Sequence, residues 1–248
     1  MTAPVSFDRD ENGAPGERPG PVSGHVLVTG ASSGIGLAIA ARLAADGWRV
    51  SGVARRPLPE ALRVAGVTGI QADLAATGGV GRVCDAVRGV TALVHAAGFM
   101  HVAPLGSLNE VDLAAMWQMH VAVPAALANR LAPRMTQGGR IVLIGSRVSG
   151  GAPGRGQYAA TKAAMVGLAR SWAAELAPRG ITANVIAPGA TDTPMLSDPA
   201  RGSVTPKLPP IGRYVRPEEV AALAAFLLSP EAAAITGQQI IICGGASL

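Results

Sequence analysis

Val26-Leu27-Val28-Thr29-Gly30-Ala31-Ser32-Ser33-Gly34-Ile35-Gly36 runs from a short apolar segment through three glycines straight into an amphipathic pattern. A strand that passes through a glycine turn into a helix leaves backbone N–H groups free at the helix N-terminus. Those donors and the helix dipole stabilise a phosphate group. The segment is therefore read as a βα unit with a pyrophosphate cradle, and Gly30, Ser32, Ser33, Gly34, Ile35 and Gly36 are its expected cofactor contacts.

Outward from this unit, short apolar runs alternate with longer helical patterns to the C-terminus, the rhythm of a parallel sheet with covering helices. Expected strands are His25–Thr29, Arg49–Val53, Val67–Ala72, Thr91–His95, Arg140–Ile144, Thr182–Ile186 and Gln239–Ile242. Their Val, Ile and Leu content suits strands buried on both faces. Expected helices are Ile35–Ala45, Gly79–Val87, Asn109–Leu131, Tyr158–Leu176 and Pro217–Leu228, with Asn109 or Ser107 opening the third and Arg216-Pro217-Glu218-Glu219 opening the last. The fold class is α/β: a single Rossmann-like, doubly wound domain over residues 25–248, its seven-stranded parallel sheet flanked by helices on both faces.

Composition narrows the function. The 248 residues are 49% hydrophobic and 15% charged, enough for one sizeable core. Aromatic residues make up 3% and the 21 basic residues are scattered rather than clustered, which argues against a nucleic-acid partner. Residues 1–24, rich in Gly, Pro and charge, read as a disordered tail with no secretory signal, and the later apolar runs are too broken for a membrane span. Cys84 and Cys243 stand far apart in apolar surroundings, which suggests inert thiols in a reducing, cytoplasmic setting. No set of residues has metal-ligand spacing.

Two further segments carry chemistry. After the second strand comes Val53-Ala54-Arg55-Arg56, where dinucleotide folds often place an acid for the adenosine ribose. Here Arg55 and Arg56 are suited to a 2′-phosphate, so NADP(H) is expected in preference to NAD(H). Ser146 ends the fifth strand at the carboxyl edge of the sheet, and Tyr158 and Lys162 share one face of the following helix at i, i+4 spacing. A free phenol has a pKa of about 10, and a neighbouring ammonium favours its ionised form. Tyr158 is thereby suited to act as general acid or base in the interconversion of a ketone and a secondary alcohol, with Ser146 donating to the developing oxyanion.

The glycine spacing Thr29-Gly30-x-x-x-Gly34-x-Gly36, with Ser146, Tyr158 and Lys162, resembles the short-chain dehydrogenase/reductase family over essentially Val26 to Gly245. The resemblance implies an NAD(P)-dependent oxidoreductase in which Ser146, Tyr158 and Lys162 are catalytic and Lys162 also holds the nicotinamide ribose. It implies that Asp73 meets the adenine amino group beside Leu74, although an Asp here also suits a turn. Ala96, Ala97 and Gly98 would lie against the cofactor in a motif where His95 departs from the family's Asn. Asn184-Val185-Ile186-Ala187-Pro188-Gly189 also matches, and it implies that Pro188, Gly189, Thr191 and Thr193 face the nicotinamide, with Thr193 the better candidate for its carboxamide.

The family's fourth catalytic residue, an Asn, falls on His120. This imidazole is expected either to support a water relay, with a pH dependence near 6.5, or to be a core-edge histidine without a role. The loop Arg147–Gln157 is slightly shorter than in the family. The pocket is expected to be roofed by a lid over 190–213 and lined by Met100, Val148, Met195 and Leu196, with Lys207 and Arg201 near any anionic tail. A small ketone or alcohol, or a 3-oxoacyl thioester, is the expected substrate. The resemblance also implies a homotetramer or homodimer. The rival expectation is a cofactor-binding regulator or scaffold with little turnover.

Overall fold

A computed structural model describes residues 24–197 and 207–248. The expected tail lies almost wholly outside the described residues, as does Arg201. Seven parallel strands form one sheet: β1 (His25–Thr29), β2 (Arg49–Ala54), β3 (Thr68–Gln71), β4 (Ala92–His95), β5 (Arg140–Ile144), β6 (Thr182–Pro188) and β7 (Gln239–Ile242). Their order is β3-β2-β1-β4-β5-β6-β7, the expected doubly wound arrangement.

The period of two along each strand sorts residues onto two helical layers. Val26 and Val28 of β1, Val94 of β4 and Val142 of β5 face α1 (Gly34–Ala45) and α7 (Pro217–Leu228). Leu27, Leu93, Ile141 and Leu143 point the other way. They pack with Val83 of α3 (Gly79–Ala86), Leu127 of α5 (Val123–Leu131) and Met165 of α6 (Gly156–Leu176). A five-residue helix, α2 (Glu60–Val64), was not expected, since one turn and a half carries no usable hydrophobic period.

Local signals start the helices. Asn109 Oδ1 accepts from Val111 N and Asp112 N, capping α4 (Glu110–Trp117). Glu219 reaches back to Arg216 N at 2.8 Å, and Pro217 occupies the first turn of α7. The single helix expected over Asn109–Leu131 contains a π turn at Gln118–Ala122. Pro124 has no N–H and its ring crowds the carbonyl four residues back, so the ladder slips there and Val123 N bonds Gln118 O. Glu110–Arg134 forms one helical run that is long and apolar enough to cross a membrane, contrary to the expected absence of such a run. It buries Met116, Val123, Leu127 and Leu131 inside the fold, as a core helix does.

The order reverses between β1 and β4, and a crevice opens beyond their carboxyl ends. Thr29 Oγ1 accepts from Ala96 N and Ala97 N, both at 3.1 Å, and ties the two strand ends together. Cys84 and Cys243 are buried and free. The central strands dominate stability. Leu93→Ala, at a site with no exposure, should cost about 2–5 kcal/mol in urea unfolding, whereas Val64→Ala, 79% exposed, should stay within about 0.5 kcal/mol.

Candidate active site

The crevice widens into a cavity of about 1050 Å³ along the carboxyl edge of the sheet. Every expected cofactor residue lines it: the glycine-loop residues 30 and 32–36, Arg55, Arg56, Asp73, Leu74, Ala96, Ala97, Gly98, Pro188, Gly189, Thr191 and Thr193. Ser146, Tyr158 and Lys162 line the same space. Met100, Val148, Met195 and Lys207 are there too, while Leu196 and His120 are not.

The glycine turn has the shape a phosphate cradle needs. Gly30 and Gly34 have φ of 71° and 54°, a region that side chains resist. A Cβ on Gly36 would run into Gly30 O, and one on Gly30 would stand 2.8 Å from Ala97 N. Ser33 opens α1 in an extended conformation without a side-chain cap, so the first N–H groups of the helix face the cavity without a hydroxyl acceptor. Asp73 Oδ1 accepts from Ala75 N at 2.9 Å, the turn bond that its sequence position allows, and the residue remains exposed at the cavity edge.

At the other end, α6 presents Tyr158 and Lys162 one turn apart, with Lys162 Nζ 5.8 Å from the centre of the Tyr158 ring. Both are buried. Lys162 Nζ donates to Ile144 O at 2.8 Å, so the end of β5 orients the amine, and burial lowers its pKa from 10.5 to about 7. Ser146 Oγ accepts from Val148 N at 3.3 Å and begins a short 3₁₀ turn. Thr191 Oγ1 donates to Gly189 O and Thr193 Oγ1 donates to Thr191 O, so both hydroxyls are held in the loop after β6. Asn184 is structural: its amide donates to Ile235 O and accepts from Gln238 N, joining β6 to the turn before β7.

Of the two expectations for His120, the geometry agrees with the structural one. His120 lies behind the cavity: Nδ1 is 2.9 Å from Thr161 Oγ1, and Nε2 accepts from Phe99 N at 3.3 Å. Thr161 Oγ1 donates to Tyr158 O, so His120 Nδ1 is the donor and the ring is neutral with both nitrogens used. Burial, and next the Lys162 charge, push its pKa well below the ordinary histidine range. The expected pH dependence near 6.5 therefore does not belong to this ring, nor does either nitrogen remain for a water relay.

His95 is likewise accommodated. Its Nε2 donates to Met119 O, a carbonyl in the π turn that Val123 N passes over, and Nδ1 accepts from Thr29 Oγ1. Burial and then Lys162 lower its pKa to about 3. Reading the sequence also missed Arg147 and Arg155, which line the cavity from the loop between Ser146 and Tyr158. The signal was available in the arginine that directly follows the serine.

Residues 30–247 match the family profile described as Enoyl-(Acyl carrier protein) reductase. The chain is 36% identical over 240 residues to the 3-oxoacyl-[acyl-carrier-protein] reductase FabG of Escherichia coli, covering 88% of this chain and 95% of that one. It is also 36% identical over 227 residues to the cyclic-di-GMP-binding biofilm dispersal mediator protein of the same species, with 88% and 95% covered. A short-chain dehydrogenase from Burkholderia cenocepacia, solved in complex with NADP, superposes with a TM-score of 0.81 at 36% identity, covering 90% of this chain and 97% of that one. With the glycine cradle, the strand order and the Ser146, Tyr158 and Lys162 grouping already in place, this similarity establishes that the chain belongs to the short-chain dehydrogenase/reductase family of NAD(P)-dependent oxidoreductases.

Proposed function

We propose that this protein interconverts a ketone and a secondary alcohol with NADP(H), using Tyr158 as the proton donor and acceptor. The observation that carries the reading is the buried pair of phenol and amine one helical turn apart, opening into the same cavity as Ser146 and the glycine cradle. The uncapped start of α1 and the close backbone approach at Gly30 and Gly36 suit a pyrophosphate. A bound nicotinamide supplies the hydride in reduction and accepts it in oxidation.

The remaining chemistry belongs to the chain. Tyr158 gives its proton to the oxygen that becomes the alcohol, and the Lys162 ammonium stabilises the phenolate left behind. Ser146 Oγ donates to the same oxygen as its charge develops. Lys162, fixed by Ile144 O, also holds the nicotinamide ribose, and Thr193 meets the carboxamide. His120 supports Tyr158 from behind through Thr161 rather than by moving protons.

Arg55 and Arg56 at the cavity edge, with no acid at the end of β2, support NADP(H) over NAD(H). Segments 190–197 and 207–213 flank the cavity and form the lid of the substrate end. The apolar wall of Met100, Val148 and Met195 suits a small ketone or the acyl part of a 3-oxoacyl thioester. The protein acts in the cytoplasm as a homotetramer or homodimer built on the Ala-rich helical run 110–131 and α6. The relative named for cyclic-di-GMP binding supports a second reading, a cofactor-binding regulator with little turnover.

Three measurements decide among these readings. Tyr158→Phe should lower kcat by about 10²-fold or more while NADPH still binds, as followed by nicotinamide absorbance and fluorescence across a panel of ketones and alcohols. A wild-type protein that binds NADPH but turns over none of the panel would favour the regulator. Arg55→Ala combined with Arg56→Ala should raise KM for NADP(H) by about 10- to 100-fold and move that for NAD(H) far less. Equal catalytic efficiency of the wild type with both cofactors removes the preference. The third concerns Lys162, whose pKa near 7 in the folded chain stands against 10.5 for an ordinary lysine. Between those values the unfolded chain binds more protons, so the cost of burying the amine is full below pH 7 and fades as pH rises to 10.5. The stability gained in Lys162→Met should accordingly be greater at pH 6 than at pH 9 in urea unfolding.

A further inference from the structure

The cavity has two groups of cations. Arg55 and Arg56 follow β2, at the end expected for adenosine. Arg147 and Arg155 lie in the loop that follows β5. In the order β2-β1-β4-β5 these two strand ends are three spacings apart, about 14 Å along the sheet edge. The glycine cradle at the end of β1 lies between them, so the second group belongs to the substrate end. Lys207 adds another positive charge from the lid segment. Among the described lining residues, Asp73 is the only one with a carboxylate side chain, and it stands after β3 on the far side.

Arg147 is the residue next to Ser146. Its Nε is out of reach of solvent and has no hydrogen-bond partner among the described residues, and no ion pair involves its guanidinium there. A dry guanidinium N–H without an acceptor is costly, and planar N–H donors in a fork match a carboxylate or a phosphate. The apolar wall formed by Met100, Val148 and Tyr158, backed by Met116, gives the carbon skeleton its place, and Val148 directly follows the arginine.

We propose that Arg147, with Arg155 beside it in the same loop, binds an anionic group carried by the substrate itself, so that the preferred substrate is an oxo acid or oxo phosphate rather than a neutral ketone. The reacting carbonyl then sits between Ser146 and Tyr158 while the anion lies toward the loop Arg147–Gln157. This inference rests on the proposed ketone reduction for its placement of the carbonyl. The anion site itself is testable without turnover.

Acetoacetate, levulinate and acetonyl phosphate are compared with the methyl esters of the two acids and with the neutral ketone 2-pentanone. Binding is measured by calorimetry and thermal shift, with NADPH present and absent, and turnover by nicotinamide absorbance. The expected result is about 10- to 100-fold tighter binding of at least one anion than of its neutral partner. That ratio should fall to near one in Arg147→Gln and be partly restored in Arg147→Lys, which keeps the charge but loses the fork. Carboxylate and phosphate probes separate the two sources of the anion. Equal affinity of anionic and neutral probes for the wild type overturns the proposal, and so does a ratio left intact in Arg147→Gln. Absence of turnover alongside a clear anion preference tells against the oxidoreductase reading and leaves the anion site standing.

Discussion

The Thr29 hydroxyl is the contact on which the architecture of the cavity depends. It accepts from Ala96 N and Ala97 N and donates to His95, so the carboxyl ends of β1 and β4 are locked together where the strand order reverses. That lock brings Gly30 against Ala97 so closely that Gly30 has no room for a Cβ.

From this point a series of hydrogen bonds runs toward Tyr158. His95 passes from Thr29 to Met119 O, the carbonyl that the π turn leaves over, and Pro124 is the reason the turn exists. His120, in the same turn, bonds Phe99 N and Thr161, and Thr161 bonds Tyr158 O. Four elements, β1, β4, the π turn and α6, are thus tied by two neutral imidazoles. Burial keeps both rings uncharged, and the nearby Lys162 charge acts in the same direction. Their value is geometric, since a neutral ring supplies one donor and one acceptor at fixed directions.

Charge divides the cavity as shape does. Lys162 is buried at the cavity wall and has a carbonyl, not a carboxylate, as its partner, so its pKa is lowered to about 7. Arginine side chains stand at either end, Arg55 and Arg56 after β2 and Arg147 and Arg155 after β5. On the proposed reading, both ends receive anions and the middle moves the proton.

The sequence by itself determined the layers and which residues of the glycine turn and of α6 reach the cavity. Period-two apolar runs such as Arg140–Ile144 have one meaning once both faces are buried, and a strand, glycine turn and helix in succession leave little freedom for Gly30 to Gly36. Tyr158 and Lys162 meet because one helix fixes their separation, and Asn109 and Pro217 start helices for reasons confined to a few residues. Tertiary structure alone decided what His95, His120 and Arg147 do. The partners of the two histidines lie on other elements, so no spacing within the chain records that His95 would bond Met119 O, that Thr161 would take up the second imidazole nitrogen of His120, or that Arg147 Nε would be buried without an acceptor among the described residues. Local order is encoded by neighbours in the chain, whereas the role of a buried polar side chain is set by whichever distant group satisfies it.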